Sequence, residues 1–418
     1  MCCGVGVVPP NRFETTIRVL GSLLSAHLLA SDPELGIMPE YGGALLRLAV
    51  DLGNRLMPAF ATPSGLPTHR VNLRHGVEKG ESKESCTAAA GTLVLEMGLL
   101  SRLSGDPRFE AAARRAVRTL WRRRSKLDLV GSGVDTASGH WRGGHTGIGA
   151  GVDSFYEYLL KTHVLFGDKE WLDMFTTARE AVQRHLLFGS LHVEVSLHQG
   201  RKQPRGRPVV SSLQAFWPAV DVLAGHVEDG VRAYMPMWQL WQRYEALPEA
   251  YDLVATQPIH FAKDAPLRPE LIESAFYLFR ATHDHTYVRH GAAIMRALQA
   301  YSKVECGYAS LADVNTKRLD DRMDSYFLAE TTKYLFLLFD HALVPDGHAR
   351  VHRNATRAYR DAARAQHACE HDVTTTTTTT TRTTATTRTR TTRTSDGARP
   401  SLAPSPSPPP YSWGWKWC

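Results

Sequence analysis

Four aspartates divide this chain into units of nearly constant length. Ser104-Gly105-Asp106-Pro107, Phe166-Gly167-Asp168-Lys169, Val227-Glu228-Asp229-Gly230 and Thr282-His283-Asp284-His285 each put an Asp where one apolar segment ends and another begins, at intervals of 62, 61 and 55 residues. An Asp at such a junction suits a helix N-cap, and a neighbouring Gly or Pro ends one helix or opens the next. Recurrence at this period predicts stacked αα-hairpins, as an open solenoid or a closed α/α toroid.

The two members of each pair differ in character. The first are apolar nearly all round: Ile148 to Phe166, Leu213 to Val227, Leu271 to Ala281 and Met323 to Phe339. Helices of that kind are buried, which makes these the inner ring. Two more inner helices are expected from Glu14 to Leu29 and from about Cys86. The second members are amphipathic and charged. Phe109 to Arg124, with Arg114, Arg115, Arg118, Arg122 and Arg123, reads as a solvated outer face.

A net charge of +7 over 418 residues invites a nucleic-acid reading, but the charge sits at one end. From Asp346 onward eleven Lys/Arg face five acids, which leaves the first 345 residues within one charge of neutral. A basic nucleic-acid face is therefore not expected. The same end carries Thr374 to Thr381, a Thr/Arg alternation and a Pro/Ser run, too polar to offset its ordering entropy and expected to be disordered. Asn354-Ala355-Thr356 is a glycosylation sequon within it. The expected organisation is a leader over 1–11, a toroid over 12–342 and a low-complexity tail over 343–418. Apolar stretches such as Val19 to Ala30 fall short of the roughly 18 residues that span a bilayer, and the first residues lack the pattern of a signal peptide. Six cysteines show no zinc-ligand spacing. Cys86 and Cys306 are compatible with a disulfide in an oxidising compartment or with two buried thiols.

The starts of the inner helices carry acids: Glu14, Glu84, Asp153, Glu270 with Glu273, and Asp324 with Glu330. Each alone is explained by the helix dipole. In consecutive hairpins the inner helices run parallel, so these carboxylates converge on one mouth. There they would meet Arg18, Arg268, Trp141, His145, Phe155, Tyr156, Tyr326 and Phe327, the composition of a carbohydrate or cation site. Two carboxylates suit glycosidic hydrolysis: one donates a proton to the leaving oxygen and the other activates water, at roughly 6.5–9.5 Å when the anomeric configuration inverts. Glu14 and Glu270 lie on different inner helices, with Arg18 and Arg268 placed to set their ionisation.

Four blocks sharpen this. Phe13-Glu14-Thr15-Thr16-Ile17-Arg18-Val19-Leu20-Gly21, the run from Gly147 to Lys161, Leu267-Arg268-Pro269-Glu270-Leu271-Ile272-Glu273-Ser274 and the run from Arg322 to Thr331 resemble glycoside hydrolase family 47, in its ER degradation-enhancing α-mannosidase-like branch. The resemblance covers about residues 12–342. It implies an all-α, (α/α)7-type toroid in the endoplasmic reticulum that trims α-1,2-linked mannose from high-mannose N-glycans of misfolded glycoproteins by inversion, with redox or degradation-complex partners. It implies Glu14 as general acid, Glu270 as general base and Asp153 as the acid that holds the water. Arg18, Arg268, Glu273, Tyr326 and Glu330 match positions lining the sugar and the family's calcium ion (Ca2+). The family's calcium-ligating Thr motif is not found after Phe339, no metal ligand is assigned, and six inner helices are counted where the family has seven. The toroid is therefore expected to be incomplete at both ends. Two alternatives remain: a non-hydrolysing mannose-binding lectin-like factor that delivers misfolded glycoproteins, and a helical-repeat interaction protein.

Overall fold

The computed structural model describes residues 11–33, 35–204 and 208–343. Most of the expected leader and almost all of the Thr/Arg tail, with its sequon, lie outside the described residues. Among these residues eleven principal helices alternate between two rings. The inner ring is α1 (Arg12–Glu14, continuing through a π-helical turn Thr15–Leu20 into Gly21–Ser31), α3 (Val94–Ser104), α5 (Asp153–Phe166), α7 (Trp217–Leu223), α9 (Glu270–Thr282) and α11 (Thr332–Leu343). The outer ring is α2 (Ala44–Leu56), α4 (Arg108–Arg122), α6 (Lys169–His185), α8 (Val227–Tyr244) and α10 (Thr286–Ala297). Successive inner helices touch, as do the members of each hairpin. The chain is an α/α toroid, one of the two stackings of αα-hairpins that the aspartate period allows.

The turns from inner to outer helix are short, and their chemistry is legible. Gly105 (φ 77°) and Gly167 (φ 81°) adopt the left-handed conformation that closes α3 and α5, donating to Ser101 O and His163 O. Asp106 and Asp284 behave as expected, accepting from the Arg108 and Thr286 amides at 3.0 and 2.8 Å. The other two aspartates depart from expectation. Asp168 stands at the N-cap of α6 but spends its carboxylate on Arg114, and Asp229 lies inside the first turn of α8, held by Arg179 at 2.5 Å. The arginine face of α4 is likewise not simply solvated. Arg118 grips Glu170 with two nitrogens and Arg114 lies over Trp171, tying α4 to α6.

The returns from outer to inner helix are long and carry strands of two to five residues. Glu84–Cys86 pairs with Gly133–Asp135 in register Glu84↔Asp135, and Gly133–Asp135 pairs onward with Trp141–Arg142. Val209–Ser211 pairs with Ala250–Asp252 immediately before α7. All of this β-structure gathers at the end where the inner helices begin.

One apolar cluster spans α1 to α7 around Trp171, Phe155 and Leu120. A second joins α8 to α11 around Trp238, Phe279 and Leu338. The inner helices are less buried than their apolar character predicts. Val19, Leu28 and Leu29 of α1 are exposed, as are Leu328 and Phe336 on either side of Lys333 at the start of α11. These are the first and last inner helices, each with an inner neighbour on one side along the chain. Cys86 is buried, Cys306 is exposed, and the two are not joined to each other. Among the described residues no helix is long and apolar enough to cross a membrane.

Candidate active site

The π-helical turn in α1 carries Arg18, and a second such turn, Phe327–Thr331 at the head of α11, carries Glu330. An extra residue in a helical turn re-aims the side chains around it, and such turns recur at functional sites. Here both point charged groups to one place. Arg18 Nε donates to Glu14 Oε2 at 2.5 Å, and its Nη1 lies 3.8 Å from Glu330. The Arg18 guanidinium also sits 5.3 Å from the centre of the Tyr326 ring, and Arg268 stands 5.7 Å from the same ring. Tyr326 is fixed by its hydroxyl, 2.8 Å from Asp324 Oδ2 and 2.9 Å from Pro266 O.

Arg268 carries the chain of contacts to Glu270, 4.0 Å from its Nη1, and its charge is felt at Asp153. One cluster of contacts therefore contains Glu14, Arg18, Tyr326, Glu330, Arg268 and Glu270. Glu273 joins it from below: Tyr334 donates to its Oε1 at 2.8 Å and Lys161 Nζ lies 3.6 Å away. Lys161 also donates to Glu157 at 2.5 Å, so α5, α9 and α11 are tied together one turn beneath the mouth. Six of the eight site residues expected from the sequence are joined by direct contacts; Glu273 lies one turn along α9 from Glu270, and Asp153 opens the neighbouring α5.

Other expectations are corrected. Glu84 is bound by Arg142 at 2.6 Å on the surface sheet, because the strand that precedes its short helix turns it outward. Trp141 donates its indole N–H to Arg123 O and packs on Gly131, a loop support. His145 sits in a strand paired with Val195–Ser196. Phe155, Tyr156 and Phe327 are core side chains, each about 1% exposed. Four functional groups were not anticipated. Glu157 and Lys161 lie four and eight residues after Asp153, on one face of α5, and that spacing was the available signal. Glu96 accepts from Tyr158 at 2.7 Å on neighbouring inner helices. Glu249, buried in the loop before α9, grips Arg268 with both oxygens, the Nη2 arm at 2.8 Å, and accepts from Ser212 Oγ at 3.1 Å.

Burial dominates the electrostatics. It raises the Glu270 carboxyl to about 8 against the opposing pull of Arg268, Glu273 to about 7 against that of Lys161, and Asp153 to about 6. Burial alone would lower Lys161, yet Glu157 and Glu273 hold it above the ordinary lysine value. Glu270 Oε2 is buried with no hydrogen-bond partner among the described residues. The raised acids keep a proton that the unfolded chain has released. Stability from this source is complete below their unfolded values near 4 and is lost as pH rises through about 6, 7 and 8. The unfolding temperature should accordingly fall between about pH 5 and pH 8. Calorimetry across that range checks it, and a flat or rising trend would mean these groups are ionised in the resting protein.

The described residues do not form a calcium cage. None of their acidic, His or Cys side chains group in threes suited to a metal, and Glu157 and Glu273 are already engaged by Lys161 and Tyr334. The arrangement can instead hold a polar ring between two arginines and an aromatic face, with carboxyl groups contributed from different helices.

The model of glycosyl hydrolase family 47 matches residues 8–351. "Alpha-mannosidase I MNS4" of Arabidopsis thaliana is 48% identical over 335 residues, covering 80% of this chain and 53% of that protein. "ER degradation-enhancing alpha-mannosidase-like protein 2" of Homo sapiens is 43% identical over 337 residues, covering 80% and 57%. The chain thus spans little more than half the length of these curated relatives. The structure of an alpha-1,2-mannosidase from Trichoderma reesei superposes with a TM-score of 0.72 at 26% identity, covering 80% of this chain and 78% of that one.

Proposed function

Because the chain belongs to glycosyl hydrolase family 47, we propose that its pore removes α-1,2-linked mannose from high-mannose N-glycans of misfolded glycoproteins in the endoplasmic reticulum. The observation that carries this is the chain of contacts Arg18–Tyr326–Arg268, which joins Glu14 at one end to Glu270 at the other. A sugar seated against it meets a carboxyl group on each side. Glu14 donates a proton to the leaving oxygen, while Glu270 takes a proton from a water whose oxygen attacks the anomeric carbon, with inversion. Asp153, at the start of α5, orients that water.

Glu270 must be ionised to act as base, and in the resting pore burial opposes this. Arg268 favours the carboxylate, and a water bonded to the unpartnered Oε2 adds to that. Glu249 matters here as a positioning residue: by occupying two of the Arg268 nitrogens it leaves Nη1 toward Glu270. Family membership is consistent with calcium dependence. By resemblance the ion belongs near Glu273 and Glu330, but the described donors alone do not fit it, so no step is assigned to it. Incubation with a high-mannose N-glycan, with and without chelator, tests the reading. Released mannose with inverted anomeric configuration is the expected result. Glycan binding without release at any calcium level would favour the lectin-like alternative.

A further inference from the structure

Glu270 and Arg268 border a cavity of about 70 Å³ between α9, α10 and the loop around Leu247. Its wall is mainly apolar, from Leu271, Ile294 and Leu298, but Ser212, Ser302 and Thr331 also reach it. The space far exceeds the roughly 10–15 Å³ that one water needs, and it offers the polar partners that a buried water requires. A second space, a groove of about 410 Å³, opens on the outer surface between α8 and α10. Trp238 and Trp241 form its base, and the exposed Gln242, Glu245 and Arg296 its rim.

The two spaces share four lining residues: Trp241, Glu245, Ala297 and Tyr301. One layer of side chains separates them. The Tyr301 hydroxyl donates to Glu245 Oε2 at 2.6 Å on the solvent-exposed side of that layer. We propose that cavity and groove form a lateral water passage from the outer surface to Glu270, gated by the Tyr301–Glu245 hydrogen bond. This rests on reading Glu270 as the base of an inverting hydrolysis. Each turnover consumes one water: its oxygen joins the anomeric carbon, one proton goes to Glu270, and the leaving oxygen receives a proton from Glu14. A glycan seated in the mouth covers the direct route to that water. The passage supplies it from the side, and water is the partner that the buried Glu270 Oε2 lacks.

Two experiments test the passage. In the unmodified protein, xenon pressure should leave the Ile294 and Leu298 methyl resonances unmoved, because a water-filled cavity resists xenon while a dry apolar one binds it. Xenon-induced shifts there would overturn the proposal whatever the activity. In the second, Ala297→Phe fills the shared neck. With the unfolding temperature verifying a folded variant, kcat should fall about tenfold while KM stays within about twofold. The carboxyl 13C titration of Glu270 should move upward as water is lost. A folded variant with kcat and titration unchanged would also overturn it. Failure of the unmodified chain to release mannose is a separate result, bearing on the proposed function alone.

Discussion

Glu270→Gln is expected to lower mannose release by about a hundred- to ten-thousandfold, the usual contribution of a general base, with glycan affinity nearly unchanged. Gln keeps the shape and the hydrogen-bonding oxygen but cannot accept the proton. Glu14→Gln should cost as much by removing the proton donor, and the losses should not add, since either step alone stops turnover. The pH profile makes the assignment sharper. With Glu270 raised to about 8, kcat/KM should show a limb near that pH, and Glu270→Gln should remove it. A limb that survives in Glu270→Gln would mean another group titrates there and that Glu270 is not one of the paired carboxyl groups.

The second large effect belongs to a side chain away from the bond being broken. Lys161→Met removes the ammonium group that Glu157 and Glu273 share, at 2.5 and 3.6 Å. Removing one partner of a buried charged set costs about 3–5 kcal/mol, and the 29% exposure of the Lys161 side chain brings the expectation to about 2–3 kcal/mol. The unfolding temperature should fall by several degrees. Turnover should fall too, because Asp153 and Glu270 stand one turn above the groups that Lys161 joins. Adding Glu273→Gln to Lys161→Met should restore part of the lost stability, since it removes an unpaired buried carboxylate. Strictly additive losses would show that Lys161 and Glu273 act independently.

Much of this arrangement was legible before any coordinates. The helix pairs are visible because each short turn needs a left-handed residue or a capping oxygen, and Gly105, Gly167, Asp106 and Asp284 supply them. Glu14, Asp153 and Glu270 are visible because helix starts in a toroid share an end. Glu249 was missed for the opposite reason. It sits in a loop with no periodicity, and only folding brings it onto Arg268. The paired strands were missed because two to five residues are too few for alternation to register. Glu84 was misread because a carboxylate before a helix looks alike whether a strand points it inward or outward. The π-helical turns Thr15–Leu20 and Phe327–Thr331 left no signal, since the same residues would also suit an α-helix.

The two ends of the toroid differ in how much change they can absorb. At one end, connections such as Gly167 and Asp168 are tight, and an added residue there would rotate the next helix out of its place in the ring. At the other end the connections are long and strand-braced, and they surround the mouth through which the proposed glycan would enter. Insertions, deletions and substitutions are tolerated there without disturbing the carboxylates on the helices below. On the proposed function, glycan choice can therefore diversify independently of bond cleavage, by lengthening or reshaping loops above an unchanged ring of acids.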